Sequence, residues 1–447
     1  MAEYLLNFIV FWGVWLLIPL FVDGMTALSS IISVLVARHR RRCRWRPLDH
    51  APFISIVIPV YNSEETLEAC LRSLANQDYP HDRMEVLLLS NGTTDRSFEV
   101  FARLHPELPF LAGWHTILDK GKALALNAGI HLARGTYIFN VDSDVVLAPD
   151  AVRRVVEAME AEPDLGAVTG AIEVLPPPEG ASRQQRLLAA CEFFEYLSAF
   201  HVGREHQTLL QSLYTLSGAF SVFRRDVLLE TFLYNQETVT EDTDLTFELY
   251  SRFRNHRIGC VTTAVAYVHP IESLKALYAQ RVRWQRGQLE VSARHHHLLE
   301  RPWWRLWGFA PSRILLIDHT MAFPRLVWTF LVPILALFGY PLSVLVTAVL
   351  FTYAFYVLVD LAWTGIAWLD ANELARRRVQ RLRWVLPLMP LYRMLVFWFR
   401  MSGFLHAAAE EPGQWRVLDP WNQIFQGLHD LRQRTAYAYK TLLSFWL

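Results

Sequence analysis

Long apolar runs stand at both ends of this chain, and they constrain it more than any other feature. The first extends from Tyr4 to Ala37, broken by Asp23-Gly24, and is followed at once by Arg38, Arg40, Arg41, Arg42, Arg44 and Arg46. As a helix it would reach about 50 Å against a hydrocarbon thickness of about 30 Å, long for one crossing and short for two. Because the basic cluster follows the apolar run and no small-residue cleavage site is evident, a cleaved signal peptide is disfavoured. Arginines collect on the cytoplasmic side of a membrane, so a single crossing with the N-terminus outside is expected.

At the other end, Met321 to Tyr340 and Leu342 to Leu369 are separated by Gly339-Tyr340-Pro341, the signature of a tight turn between helices. Two crossings bring the basic run Arg376 to Arg383 back to the side of the first cluster. A third run, Leu386 to Leu405, carries Arg393 and Arg400. A central Arg costs about 2.5–3.5 kcal/mol on insertion, so this run either crosses or lies along the interface. Pro302 to Trp307 mixes Trp with Arg as interfacial helices do. The expected order is a membrane segment with basic flank (1–46), a cytoplasmic domain (47–299), an interfacial helix (300–320), transmembrane helices (321–409) and a C-terminal tail (410–447). The chain is therefore expected to be a multi-pass protein of the cell membrane.

Composition agrees, with 53% hydrophobic and 13% aromatic residues. A formal net charge of zero gives no electrostatic case for nucleic-acid binding. Cys43, Cys70, Cys191 and Cys260 are scattered without metal-ligand spacing and read as free thiols in a reducing compartment.

Between the apolar ends, strand-like and helix-like stretches alternate. Strands are expected at 54–59, 85–89, 137–141 and 167–172, and helices at 63–75, 97–104 and 150–161. This alternation predicts an α/β domain with a mostly parallel sheet covered on both faces. Ligands of such sheets sit beyond the carboxyl ends of the strands. Tyr61-Asn62, Asn91-Gly92 and Asp142-Ser143-Asp144 each follow a strand directly. No G-x-G-x-x-G follows the first strand, which disfavours an oxidoreductase-type dinucleotide fold.

Three signatures in this stretch carry chemistry. Asp142 and Asp144, one residue apart at a strand end, can both reach a hard divalent cation, although a solvated turn has the same composition. Thr240-Glu241-Asp242-Thr243-Asp244 opens a helical run to Phe253; acids at a helix start suit the dipole, but three in four positions exceed what a cap needs. A desolvated carboxylate here could take a proton from an attacking hydroxyl. On the third, Gln280 to Gly287, helical geometry puts Gln280, Arg283, Trp284 and Gly287 on one face, while Arg281 and Arg283 cannot point the same way. That face offers a cation for phosphate and an indole for stacking, and also fits a basic aromatic interfacial helix. Lys120-Gly121-Lys122 places two lysines at a helix start, where anions bind, or forms a solvated loop. Ser217 to Phe220 reads as an acceptor-pocket wall or as strand and turn. His295-His296-His297 diverge on a helix and make a poor metal tract.

In this order the motifs resemble those of the membrane-bound, inverting family 2 glycosyltransferases, which include the synthases of cellulose, hyaluronan and poly-N-acetylglucosamine. The likeness to the last type rests on Pro59-Val60-Tyr61-Asn62, Lys120-Gly121-Lys122-Ala123 with Leu126-Asn127-Ala128-Gly129, Asp142-Ser143-Asp144, Thr240 to Leu245 and Gln280 to Trp284. It covers about Phe53 to Gly287. The resemblance implies a GT-A fold with flanking transmembrane and interfacial helices, a UDP-sugar donor and Mg²⁺ or Mn²⁺. It implies Asp142 and Asp144 as metal ligands, with Asp142 also serving the donor, and Asp242 as general base beside Glu241. Pro59, Tyr61, Asn62, Glu64, Asn91, Lys122, Gln280, Arg283 and Trp284 are implied in substrate binding. Implied partners are a polysaccharide or lipid-linked acceptor, the lipid bilayer, and export or assembly proteins. One departure stands out: the family pattern Asp-Asp-Gly-Ser is here Ser90-Asn91-Gly92-Thr93. Asn91 lacks the charge that would accept a base imide N–H, though its amide oxygen can still accept one. Extension of a polysaccharide, transfer of one sugar to a lipid, and a non-catalytic subunit of an assembly machine are the readings open at this point.

Overall fold

The computed structural model describes residues 23–44, 48–117, 119–253, 255–301, 307–314 and 334–409, with His429 and Arg432. Its centre is an eight-stranded sheet of order β3-β2-β1-β4-β7-β6-β8-β5. The strands are β1 (Ile54–Val60), β2 (Met84–Asn91), β3 (Leu111–Ile117), β4 (Tyr137–Val141), β5 (Val146–Leu147), β6 (Leu165–Val174), β7 (Phe220–Arg224) and β8 (Arg257–Val268). β1, β2, β4 and β6 are buried along their whole length. Their near-continuous apolar sequences suit strands covered on both faces.

The sheet is mixed, yet six of its eight strands run the same way, so the expectation of a mostly parallel sheet holds in that coarser form, with β5 and β7 reversed. β1 pairs in parallel with β2 and β4, β2 with β3, and β6 with β8. β7 is antiparallel to both neighbours, β4 and β6, and β5 is antiparallel to β8. β7 thus joins a parallel half to a second half. The edge strand β3 escaped the sequence reading because its exposure is irregular along the strand.

Among the described residues, helices of eight residues or more are α1 (Met25–Arg44), α2 (Leu67–Ala75), α3 (Ser97–Leu104), α4 (Lys122–Leu132), α5 (Ala151–Ala161), α6 (Arg183–Ser198), α7 (Glu241–Arg252), α8 (Leu274–Arg294), α9 (Leu342–Asp370), α10 (Glu373–Leu382) and α11 (Met389–Ala409). One hydrophobic core packs α2, α3 and α5 on one face of the sheet through Leu67, Leu71, Phe101, Val152 and Val156. The other face is covered by α4 and α7 through Leu126, Ile130, Leu245 and Phe247. A third core, with Val34 of α1, Phe193 of α6, Leu277 of α8, Ala367 of α9 and Val396 of α11, joins the helical flank to the domain.

One helix among the described residues, α9, is long and apolar enough to cross a membrane. The multi-span arrangement expected from the apolar runs goes beyond this. Residues 1–22, 302–306, 315–333 and 410–428 lie outside the described residues, and with them most of the first run, most of Met321–Tyr340 and most of the interfacial segment. The third run forms α11, and its Arg393 is paired with Asp360 of α9 at 2.5 Å. Pairing offsets the cost of burying either charge, and explains an arginine inside an apolar run.

Candidate active site

The carboxyl end of β4 places Asp142 against two neighbouring loops. Its backbone N–H donates to the Ala219 carbonyl (3.2 Å), which fixes the turn against the segment entering β7. Ser143 turns inward, its hydroxyl 2.7 Å from that of Ser63 behind β1. Asp144 is exposed. Lys122, the first residue of α4, extends its ammonium to 2.7 Å from Asp142 Oδ1 and 3.5 Å from Glu241 Oε1. Residues from three separate segments therefore meet around one cation.

Asp242, in the first turn of α7, completes the cluster. Its carboxylate accepts the Gly218 N–H at 3.1 Å and the Thr243 N–H at 2.8 Å. Gly218 is close to both groups, since a Cβ there would lie 3.3 Å from Asp242 Oδ2 and 3.5 Å from Lys122 Nζ. Burial raises the Asp242 pKa and Glu241 adds to the effect, while Lys122 and the two N–H donors oppose it. Burial also pushes Asp142 up to about 6, with Lys122 offsetting only part of the cost. For Lys122 burial disfavours the charge, but Asp142, Glu241 and Asp242 outweigh it and hold the ammonium above its ordinary pKa.

The turn after β1 is tied to the loop after β2. Asn62, in the left-handed region at φ 48°, accepts the Thr94 N–H at 2.9 Å, and Glu64 pairs with Arg96. Pro59 is buried in β1, whereas Tyr61 is 54% exposed. Asn91 is buried, and its amide oxygen accepts the N–H of Gly121, which anchors the start of α4. The acceptor atom considered for a base imide is thus engaged within the chain.

α8 carries the third signature. Among the described residues the buried amide oxygen of Gln280 has no hydrogen-bond partner; Arg283 is exposed, and Trp284 packs half-buried against the first core. Arg281 diverges from Arg283, as the helical spacing requires, and is buried with its guanidinium over the Trp284 ring. His295 and His297 separate as expected, bonding Asp244 (3.0 Å) and Ser251 (2.9 Å) respectively.

One tie was invisible in the sequence. Asn127 of α4 clamps the backbone of Tyr234, donating to its carbonyl at 2.8 Å and accepting its N–H at 2.9 Å. The Tyr234 hydroxyl lies 3.3 Å from Asn140 Nδ2, behind the acid cluster. No local pattern reveals a contact across this separation in sequence.

Among the described residues no group of three His, Cys, Asp or Glu side chains could hold a metal by itself. The donors at Asp142 and Asp144 nevertheless fit a hard cation of the kind that takes one or two carboxylates and completes its shell with substrate phosphates. Asp142 Oδ1, buried and ion-paired but without an oriented hydrogen bond among the described residues, is suited to serve as such a ligand.

Residues 55–232 match the profile described as Glycosyl transferase family 2. The chain is 26% identical over 295 residues to a poly-beta-1,6-N-acetyl-D-glucosamine synthase of Staphylococcus aureus strain COL, covering 64% of this chain and 66% of the relative. It is 28% identical over 244 residues to the enzyme of that name from Staphylococcus epidermidis, covering 54% of this chain and 56% of the relative. The match thus spans just under two thirds of the length of the first relative. Among solved structures, a mannosyltransferase from Pyrobaculum calidifontis in complex with GDP-Man and Mn²⁺ is similar at a TM-score of 0.49 and 18% identity, over 87% of this chain and 96% of that one. Residues 55–232 of this chain are therefore similar to glycosyl transferase family 2.

Proposed function

We propose that this protein is a membrane-bound inverting glycosyltransferase with a GT-A fold that extends a polysaccharide from a UDP-sugar donor. The observation that carries the proposal is the setting of Asp242. Its carboxylate is desolvated, held by two backbone N–H groups, and next to an acid–ammonium cluster at a strand end. A fixed carboxylate with a raised pKa is suited to accept a proton.

In the reaction, the oxygen of an acceptor hydroxyl forms a bond to the anomeric carbon of the donor. The bond from that carbon to the diphosphate oxygen breaks, and its electron pair leaves with the nucleotide diphosphate. Asp242 takes the hydroxyl proton, and a single in-line displacement inverts the anomeric centre. Lys122 fixes Asp142 and Glu241 before the donor enters. Arg283 is free to reach a diphosphate oxygen, and Trp284 offers a face for the acceptor sugar. Asp142 and Asp144 would hold Mg²⁺ or Mn²⁺ together with donor phosphates, and the cation would supply charge neutralisation at the leaving group. Pro59, Tyr61, Asn62, Glu64 and Asn91 shape the nucleotide side, with Asn91 acting through the start of α4.

A polymeric product is favoured over a single transfer because the staphylococcal relatives are named as synthases of a β-1,6-linked N-acetylglucosamine polymer. The test is incubation of the full chain in nanodiscs with UDP-N-acetylglucosamine, UDP-glucose or GDP-mannose and Mg²⁺ or Mn²⁺. A labelled product that grows with time is expected. A lipid carrying one sugar would replace polymer synthesis with single transfer, and no release of nucleotide from any donor would overturn the enzymatic reading.

A further inference from the structure

Arg281 lies inside the third signature, three residues before the candidate acceptor platform Trp284, and is buried where Arg283 is exposed. It is 1% exposed, making it one of the largest fully buried side chains. Its guanidinium reaches Glu195 of α6 at 2.6 Å, and the hydroxyl of Tyr392 on α11 donates to the same carboxylate oxygen at 2.8 Å. The cation also stacks over the Trp284 ring, 4.5 Å from its centroid. One residue beyond Tyr392, Arg393 bridges Asp360 of α9 and the hydroxyl of Ser198, one turn along α6 from Glu195. α8 is pressed on α11 here, since a Cβ on Gly403 would lie 2.9 Å from the Val282 carbonyl. Tyr278 of α8 reaches Ser402 of α11 at 2.6 Å.

Such a buried cation has little freedom. A planar guanidinium held by a carboxylate on one side and an indole on the other defines the plane of that indole. We propose that Arg281 is a positioning residue for Trp284, held through Glu195 and Tyr392, so that α6 and α11 set the orientation of the acceptor platform. This inference rests on the functional reading only for what Trp284 binds. The coupling of Arg281 to the ring stands independently. A movement of α11 against α6 reaches the acceptor seat through one ion pair, while the candidate donor residues Asp142 and Lys122 lie on other elements.

The test uses the full chain in nanodiscs, labelled with 5-fluorotryptophan. Its 16 tryptophans give a set of ¹⁹F resonances, and loss of one in Trp284→Phe assigns the Trp284 signal. Arg281→Lys and Glu195→Gln are expected to shift and broaden that resonance selectively. The double variant Arg281→Met, Glu195→Met removes both charges together, avoids an unpaired buried ion and keeps the fold testable. It is expected to restore thermal stability without restoring the Trp284 resonance. An unchanged Trp284 signal in all three variants overturns the inference, whether or not any sugar is transferred. With UDP-N-acetylglucosamine and a β-1,6-linked N-acetylglucosamine oligosaccharide, acceptor KM should rise on the order of tenfold with donor Kd unchanged. Equal losses at donor and acceptor would reduce Arg281 to a general packing role. Absence of transfer by the unaltered protein would remove the functional reading and leave the spectroscopic result decisive for Arg281.

Discussion

Gly287 of α8 lies so close to Thr240, just before α7, that a Cβ on it would stand 2.3 Å from Thr240 Cγ2. The candidate clamp and the candidate base are therefore locked at one point of closest approach. Gly287→Ala forces the two helices apart, at a cost of about 1–3 kcal/mol for overpacking. A displacement of about 1 Å at a reacting group is enough to lower kcat roughly a hundredfold. Gly365, where a Cβ would meet nothing within 4 Å among the described residues, provides the control, and Gly365→Ala should leave both properties unchanged. Thermal unfolding and turnover of the two variants check this directly.

Lys122 competes with any cation for Asp142. Lys122→Met leaves Asp142 and Glu241 without their shared counter-ion, and should destabilise the donor-free protein by about 1–2 kcal/mol, discounted for partial exposure. The same change should strengthen Mn²⁺ binding on the order of tenfold in the absence of donor, because an ammonium no longer occupies the carboxylates. Titration by electron paramagnetic resonance measures it. Weaker Mn²⁺ binding would show that Lys122 organises the site for metal rather than competing with it.

The pH dependence follows from the same cluster. Burial raises the Asp242 pKa above the ordinary 3.8, and the proton acceptor is the ionised form, so kcat falls as pH is lowered through that raised value. Asp142, raised to about 6, favours its protonated form in the folded state. Its contribution to stability is therefore fully present below pH 3.8 and lost as pH rises through about 6. Unfolding of Asp142→Asn against the unaltered protein should show a flatter pH dependence over that window.

Local sequence was enough to place much of this architecture. Tyr137 to Val141 was expected as a strand and forms β4 with the same ends, because a short apolar run bounded by Gly135-Thr136 and Asp142 has few alternatives. Ser97 to Leu104 likewise forms α3 as expected. The direction of β7 was not legible, since Phe220 to Arg224 encodes a buried strand but not the orientation of its partners. α6 was missed because Leu188 to Ser198 is buried on every side except Glu195, and a helix without a polar face lacks the amphipathic period. The capping box of Ser182 and Gln185 was its one readable sign. The three signatures were legible as motifs, but their meeting at Lys122 and the Asn127–Tyr234 clamp depend on tertiary contacts.

The most direct measurement compares Asp242→Asn with the unaltered chain in nanodiscs, following UDP-N-acetylglucosamine binding and sugar transfer together. Loss of the proton acceptor should lower transfer by about 10²–10⁴-fold, while donor affinity stays at its original value. Full turnover by Asp242→Asn would contradict the assignment of this carboxylate as the base.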